Sequence, residues 1–269
     1  MRTISTDFPM QRALGRAHVA FAAGNRLADL AQQGSAKAFL PRVSGPPEVV
    51  FLNTSGGLTD GDRLGYHLEI AAGCQINATT QTAERAYATR GAAAIAEVTA
   101  AVATGARLDW LPQETILFED SHLHRATTIN LAGDASCLLA ETVVLGRHAM
   151  GETLNRARLT DRRMVTRDRR PIWAETYVID ADVLRSPDAA LLGDARAFAT
   201  VALIAPHAEH ALPTLRAALV HPDCHSAATG WDGKCIARIL ARDSWPLKQQ
   251  LAMALAALRQ GPLPRVWQL

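Results

Sequence analysis

The chain lacks the features that mark membrane and secreted proteins. No apolar run approaches the roughly 20 residues that a membrane-spanning helix requires. The N-terminus, MRTISTDFPMQRALG, has no apolar stretch typical of a secretory signal. The four cysteines (Cys74, Cys137, Cys224 and Cys235) are far apart and form no CxxC pair. These absences predict free thiols in a reducing cytoplasm rather than a disulfide framework.

Neither sign of charge is in excess. The 28 basic and 26 acidic residues leave a net charge of +2. That balance creates no global field to attract nucleic acid, and we expect neither nucleic acid nor a membrane as a partner. The arginines concentrate in residues 156–170, RARLTDRRMVTRDRR. We interpret this segment as a solvated edge or loop, with a docking patch for an acidic partner as the alternative.

A recognisable catalytic motif is also missing. Ser55 is followed by two glycines but has no GxSxG frame, and no cysteine stands in a catalytic signature. The chain is therefore predicted not to be an enzyme. A coiled-β carbohydrate-active enzyme that uses paired carboxylates stays open as the alternative, because such carboxylates need only be neighbours in space.

The first two thirds of the chain have the pattern of short strands. Residues 63–70 alternate apolar and polar side chains, and residues 75–80, 126–131 and 137–145 continue this rhythm between glycine turns. The alanine-rich segment 93–103 is also assigned as a strand, because it carries the β-branched residues Ile95, Val98 and Val102. This spacing predicts an antiparallel or coiled all-β architecture.

Helices are predicted mainly in the last third. A helix is expected over residues 211–220, followed by a strand at 235–240. A second helix should begin with Ser244 as its N-cap and end near Arg259. Its apolar face would consist of Leu247, Leu251, Leu255 and Leu258. We treat residues 1–269 as a single domain, with a β body over about 1–205 and an αβα element over about 206–269.

Several carboxylates occupy positions of interest. Asp60 and Asp62 follow the Gly56–Gly57 pair, where a tight turn is the favoured interpretation and a hard-cation site the alternative. Glu141 lies among apolar neighbours, and a buried carboxylate requires a partner or a wet cavity. We favour a solvated strand face or an ion pair with an arginine such as Arg147.

The histidines offer weaker metal signals. His122 and His124 would share one strand face, and two further clusters stand later in the chain. These clusters are His207 with His210, and His221 with Cys224 and His225 on a predicted loop. Imidazole and thiolate suit a late divalent transition metal. However, none of these clusters matches the spacing of a zinc motif, which has two complete pairs of ligands. Surface histidines are therefore the favoured interpretation.

Five segments, in this order, resemble the motifs of the urease accessory protein D family (UreD, also called UreH). They are NTSGGLTDGDRL (53–64), TTQTAERAY (79–87), WLPQETI (110–116), LGR…GE (145–152) and PRVW (264–267). Together they extend over most of the chain. The resemblance implies a mainly β fold of coiled, β-helix-like stacked sheets with a small number of α-helices.

The resemblance also implies a function and a set of residues. Members of the family are metallochaperone scaffolds that help to insert nickel into apo-urease, with accessory protein F and, through it, the accessory GTPase G. Nickel(II) would pass through the protein in transit, without a tightly bound cofactor. The acidic positions of that route correspond here to Asp62, Glu84, Glu141 and Glu175. Asp60 is a departure, because the family commonly has glycine there.

Overall fold

The computed structural model describes residues 12–147, 150–259 and 261–267. The N-terminal segment 1–11, where no secretory signal is expected, and residues 148–149 of the LGR…GE motif lie outside the described residues. The described part of the chain forms seventeen strands, three α-helices and two 3₁₀ turns. The strands are β1 (Leu14–Ala22), β2 (Arg26–Gly34), β3 (Ala36–Phe39), β4 (Glu48–Asn53), β5 (Arg63–Ile70), β6 (Gln75–Thr80), β7 (Glu84–Ala86), β8 (Ala94–Val102), β9 (Arg107–Trp110), β10 (Thr115–Leu117), β11 (His122–Leu131), β12 (Ser136–Leu145), β13 (Arg158–Arg167), β14 (Arg170–Ile179), β15 (Ala197–Ile204), β16 (Cys224–Trp231) and β17 (Lys234–Ala241). The helices are α1 (Ala181–Arg185), α2 (Leu212–Ala218) and α3 (Ser244–Leu258), and the 3₁₀ turns are Ala208–Ala211 and Arg265–Trp267.

The strands form two sheets between which the chain passes back and forth. The seven-stranded sheet has the order β14-β13-β11-β8-β5-β1-β2. The ten-stranded sheet has the order β16-β17-β15-β12-β9-β6-β4-β3, and β10 joins it by pairing with β12 and β7. The successive neighbours β1, β5, β8, β11 and β13 pair in parallel, as do β4, β6, β9 and β12. Parallel pairing of successive turns produces a coil, so the predicted fold class is confirmed.

Alternating burial explains why the coil forms. In β5 the side chains of Leu64, Tyr66 and Leu68 are buried, whereas Arg63 and Glu69 are exposed. The alanine-rich segment follows the same rule and is the strand β8, as predicted. Each strand therefore contributes one apolar face to the core between the sheets.

The prediction of a solvated edge or loop for the arginine-rich segment was wrong. Residues 158–167 form β13, which lies between β11 and β14 inside the seven-stranded sheet. Asp161 and Arg163 point into the interior and are almost completely buried, whereas Arg158 and Arg162 are exposed. The arginines alternate between the two faces of a strand, and charge density alone does not reveal which face is buried.

The C-terminal third adds helices to the outer face of the ten-stranded sheet. Helices α2 and α3 pack on each other, and α3 packs on β15 and β17. The four leucines predicted for the apolar face of α3 are all buried. The predicted N-cap was wrong by one residue, because Asp243 caps the helix and its carboxylate accepts a hydrogen bond from the Trp245 N–H at 2.8 Å.

Two strands supply side chains to two separate cores. From β12, Leu139 and Val143 pack between the sheets, whereas Leu138 and Ala140 pack under the helices. Strand β15 divides its residues in the same way, so both strands are buried on both faces. The four cysteines are free, as predicted. None of the described helices is long and apolar enough to cross a membrane.

Candidate functional site

A cavity of about 80 Å³ lies where three of the motif segments meet. Its lining includes Asn53 and Gly56 from the first segment, Thr80 and Glu84 from the second, and Trp110 and Gln113 from the third. Glu141 and Arg125 also line it. A water molecule requires a cavity volume of about 10–15 Å³, so this cavity can hold several water molecules. The structure thus brings two of the four predicted acids, Glu84 and Glu141, to one polar cavity.

Glu84 is a half-buried carboxylate at the start of β7. Its two oxygens accept hydrogen bonds from the side-chain amide of Asn53 at 3.1 and 3.3 Å. Burial raises the pKa of Glu84 to about 7, an effect that outweighs the lowering by the Asn53 amide and the Arg85 backbone N–H. A carboxyl group with this pKa is about half protonated at neutral pH. A cation that enters the cavity therefore favours the deprotonated, negatively charged form of Glu84.

Glu141 is held by three donors in the core. Its Oε1 accepts hydrogen bonds from Trp110 Nε1 at 3.0 Å and Thr127 Oγ1 at 2.9 Å, and its Oε2 lies 3.0 Å from Arg125 Nη1. The predicted solvated face was wrong, whereas the predicted arginine partner is confirmed, although it is Arg125 and not Arg147. Arg147 pairs instead with Glu152, and the strand that carries Glu141 is buried on both faces.

A chain of buried ion pairs leads from Glu141 to Glu175. Arg125 lies 2.7 Å from Asp161, which also pairs with Arg163, and Arg163 lies 3.1 Å from Glu175. Although burial alone would raise the pKa of Asp161, the guanidinium groups of Arg125 and Arg163 lower it. The pairing keeps these interior charges neutralised, as buried charges require.

Glu175 lies at the far end of this chain, where the interior reaches the surface. It pairs with Arg238, whose side chain is more than half exposed, and it accepts hydrogen bonds from Tyr177 and Thr200. Glu141, Asp161 and Glu175 are thus matched by Arg125, Arg163 and Arg238. The two ends of the charged chain are the cavity and the Arg238 surface.

Asp62 has a different environment from the other three acids. Its two oxygens accept hydrogen bonds from the backbone N–H groups of Ala13 at 2.7 Å and Thr59 at 2.9 Å. The neighbouring Asp60 accepts a hydrogen bond from the Gly91 N–H at 2.8 Å. In the described residues Asp62 does not line the cavity. These bonds agree with the favoured interpretation of residues 60–62 as a turn.

The remaining two motif segments make hydrogen bonds that hold loops of the fold in place. The indole N–H of Trp267, in the C-terminal PRVW motif, donates to the Leu111 carbonyl at 2.8 Å. Glu152 accepts hydrogen bonds from the backbone and side chain of Arg147 at 2.9 and 3.0 Å. Trp267 therefore stabilises the backbone beside Pro112, which lines the cavity, whereas Glu152 stabilises its own loop.

The histidine clusters predicted from the sequence do not assemble a set of three ligands in the described residues. The rings of His122 and His124 lie 5.0 Å apart on β11, on one face as expected. Cys224 and His225 begin β16 instead of lying on a loop. The one group of three ligand atoms in the described residues consists of His18, His67 and Glu69. Sequence reasoning missed it, because residues 18 and 67 meet only through the pairing of β1 with β5.

The fold is a coiled β structure in which three motif segments meet at an acid-lined cavity. The comparisons with known proteins agree that a chain of this kind is a urease accessory protein. Residues 13–268 match the family described as UreD urease accessory protein. Proteins named urease accessory protein UreD from Cereibacter sphaeroides and Paracoccus denitrificans are 55% and 51% identical to the chain, covering 96% of it and 96% and 93% of their own lengths. A relative of the same name from Rhizobium leguminosarum bv. viciae is 40% identical over the full length of both chains.

The chain belongs to the UreD urease accessory protein family. Its role is therefore in urease maturation.

Proposed function

We propose that the protein is a non-enzymatic metallochaperone scaffold that helps to insert nickel into apo-urease in the cytoplasm. In this proposal it binds accessory protein F, which brings the accessory GTPase G, and the assembly engages apo-urease. Nickel(II) is the cargo and passes Asp62, Glu84, Glu141 and Glu175. Family membership supports this function over a carbohydrate-active enzyme with paired carboxylates, because the relatives are named as accessory proteins.

The observation that carries the proposal is the environment of Glu84. It is the one acid of the four that faces the cavity without an ion pair in the described structure. A conduit must bind an ion strongly enough to admit it and weakly enough to release it. A carboxyl group with a pKa of about 7 meets both conditions, because nickel must displace a proton to bind and a proton can displace nickel.

The other three acids have graded roles in the proposal. Glu141 lies at the same cavity but shares its charge with Arg125, so it attracts nickel more weakly than a free carboxylate. Glu175 lies near the Arg238 surface, at the opposite end of the ion-pair chain. Asp62 holds two backbone N–H groups, and its main contribution is to the turn that positions the first motif segment.

The test is to delete the gene in a urease-bearing host and to complement it with variants. Urease activity and the nickel content of purified urease are measured together. The wild-type gene should restore both, and Glu84→Gln should lower both severalfold, because it removes the charge and keeps the size of the side chain. Asp182→Asn, at a fully exposed carboxylate on α1, is the matched control and should restore both.

A second measurement separates loss of nickel passage from loss of folding. Capture of accessory protein F by the Glu84→Gln variant should equal that by the wild type. Fully nickel-loaded urease in the deletion strain would overturn the proposed function. Full activation by a variant with all four acids replaced by alanine would overturn the route through the acids.

A further inference from the structure

The outer face of the seven-stranded sheet carries a group of side chains outside the cavity and the ion-pair chain. His18 on β1 is the register partner of His67 on β5, and their rings stack with centroids 5.0 Å apart. Glu69 follows His67 by two residues on the same face of β5. One ligand atom from each of His18, His67 and Glu69 lies within 4.8 Å of the other two.

Two of the three spacings between these atoms match those of a metal's ligand shell. The Nε2 atoms of His18 and His67 lie 3.4 and 3.2 Å from Oε1 of Glu69. Two ligand atoms bound at about 2.05 Å to a tetrahedral ion are about 3.3 Å apart by geometry. The carboxylate therefore needs little rearrangement to share one ion with either imidazole, and the two imidazole nitrogens are within 4.8 Å of each other.

A second set of residues orients both imidazole rings. Asp29 on β2 accepts a hydrogen bond from His18 Nδ1 at 3.2 Å, which leaves Nε2 as the nitrogen with a free lone pair. That Nε2 is buried and has no hydrogen-bond partner in the described structure. On β8, Thr99 bonds to His67 Nδ1, and its hydroxyl can accept from that nitrogen when Nε2 binds a metal. Hydrogen bonds of this kind to the outer nitrogen are typical of metal-binding histidines.

We propose that His18, His67 and Glu69 form a surface site for a late first-row divalent cation of the Zn²⁺, Ni²⁺, Co²⁺ and Cu²⁺ class. Two imidazoles and one carboxylate provide the mixed nitrogen and oxygen donors that these ions prefer. Water would complete the coordination, because the side chains of His67 and Glu69 are 39% and 55% exposed.

The site would also join strands that are distant in sequence. Its ligands come from β1 and β5, and the residues that orient them come from β2 and β8. All nine residues of β2 are exposed, and it is the last strand of its sheet. Metal binding would therefore fasten the β1–β2 hairpin to the parallel part of the sheet. This inference is independent of nickel passage through the cavity.

The experiment uses the purified, chelator-treated full chain. Co²⁺ is titrated while its visible absorption is recorded, and Zn²⁺ and Ni²⁺ then compete for the site. The His18→Ala/His67→Ala variant should lose the Co²⁺ spectrum and bind at least tenfold more weakly. The matched control is His122→Ala/His124→Ala, which removes two histidines from one face of β11 in the same sheet and should keep the wild-type spectrum.

Two further variants keep the test decisive. Glu69→Gln changes an exposed side chain and should also weaken Co²⁺ binding, even if the double histidine variant does not fold. Glu84→Gln should leave the Co²⁺ spectrum unchanged, which separates this site from the cavity. Equal Co²⁺ binding by the wild type, Glu69→Gln and the double histidine variant would overturn the proposal.

Discussion

Arg125 Nη1 lies 3.0 Å from Oε2 of Glu141, and both side chains are more than nine-tenths buried. The same guanidinium contacts Asp161 at 2.7 Å and donates to Thr115 Oγ1 at 2.8 Å. Burial opposes its charge, but Asp161 and Glu141 outweigh this effect and raise the pKa of Arg125 above its usual range. Arg125 therefore connects the cavity to the ion-pair chain.

Replacement of this arginine should be strongly destabilising. Arg125→Met would leave Glu141 and Asp161 buried with fewer compensating charges, and removal of one partner of a buried pair typically lowers the free energy of unfolding by about 3–5 kcal/mol. Urea denaturation measures the change. Arg156→Ala, which breaks the exposed pair with Asp120, is the control and should have little effect. Equal stability of the two variants would contradict the structural importance of the buried ion-pair chain.

Glu84 should make stability depend on pH. Between the ordinary carboxyl pKa of 4.5 and the folded value of about 7, the folded protein holds a proton that the unfolded chain has lost. The free energy of unfolding therefore falls as pH rises through this window. Each pKa unit corresponds to about 1.4 kcal/mol, so the full effect is on the order of 3–4 kcal/mol.

Glu84→Gln removes this titration and tests it directly. The variant should gain stability relative to the wild type as pH increases from 5 to 8. Urea denaturation of both proteins at several pH values measures the difference. A difference that stays constant over that range would show that burial does not raise the pKa of Glu84.

The two glycines of the first motif segment should differ in their tolerance of alanine. A Cβ atom on Gly57 would lie 2.4 Å from Tyr87 Cε2 and 2.8 Å from the Arg85 carbonyl oxygen, and Gly57 has a φ of +154°. Gly56 has a φ of +82°, but a Cβ atom there meets nothing within 4 Å. We expect Gly57→Ala to lower the free energy of unfolding by roughly 2 kcal/mol or more, and Gly56→Ala by about 1 kcal/mol. Thermal denaturation of both variants gives the order, and a larger loss for Gly56→Ala would contradict the close contact with Tyr87.

The N-terminus of α3 allows a test with adjacent residues. Asp243→Ala removes the carboxylate that accepts the Trp245 N–H, and loss of such a cap lowers the free energy of unfolding by about 1 kcal/mol. Ser244→Ala should have a smaller effect, because Ser244 is the first residue inside the helix. The reverse order of the two losses in urea denaturation would restore Ser244 as the cap.

Local patterns in the sequence predicted the strands and the helices, but not the partners across the core. Alternation identified β5 and β8, and the motif segments indicated Glu84 and Glu141 before their shared cavity was known. The partner of Glu141 could not be predicted, because Arg147 is nearer in sequence whereas Arg125 reaches Glu141 from the opposite sheet. The parallel register of β1 and β5 brings His18 to His67, and no local signal marks that pairing.

The double burial of β12 and β15 bears on the autonomy of the C-terminal third. Strands β12 and β15 contribute side chains to both hydrophobic cores. If either the coil or the helical layer unfolds, one apolar face of these two strands becomes exposed to water. A chain shortened after residue 205 would leave Leu138, Ala140 and Val201 in contact with water. We therefore expect the molecule to melt in one cooperative transition and its excised parts to aggregate.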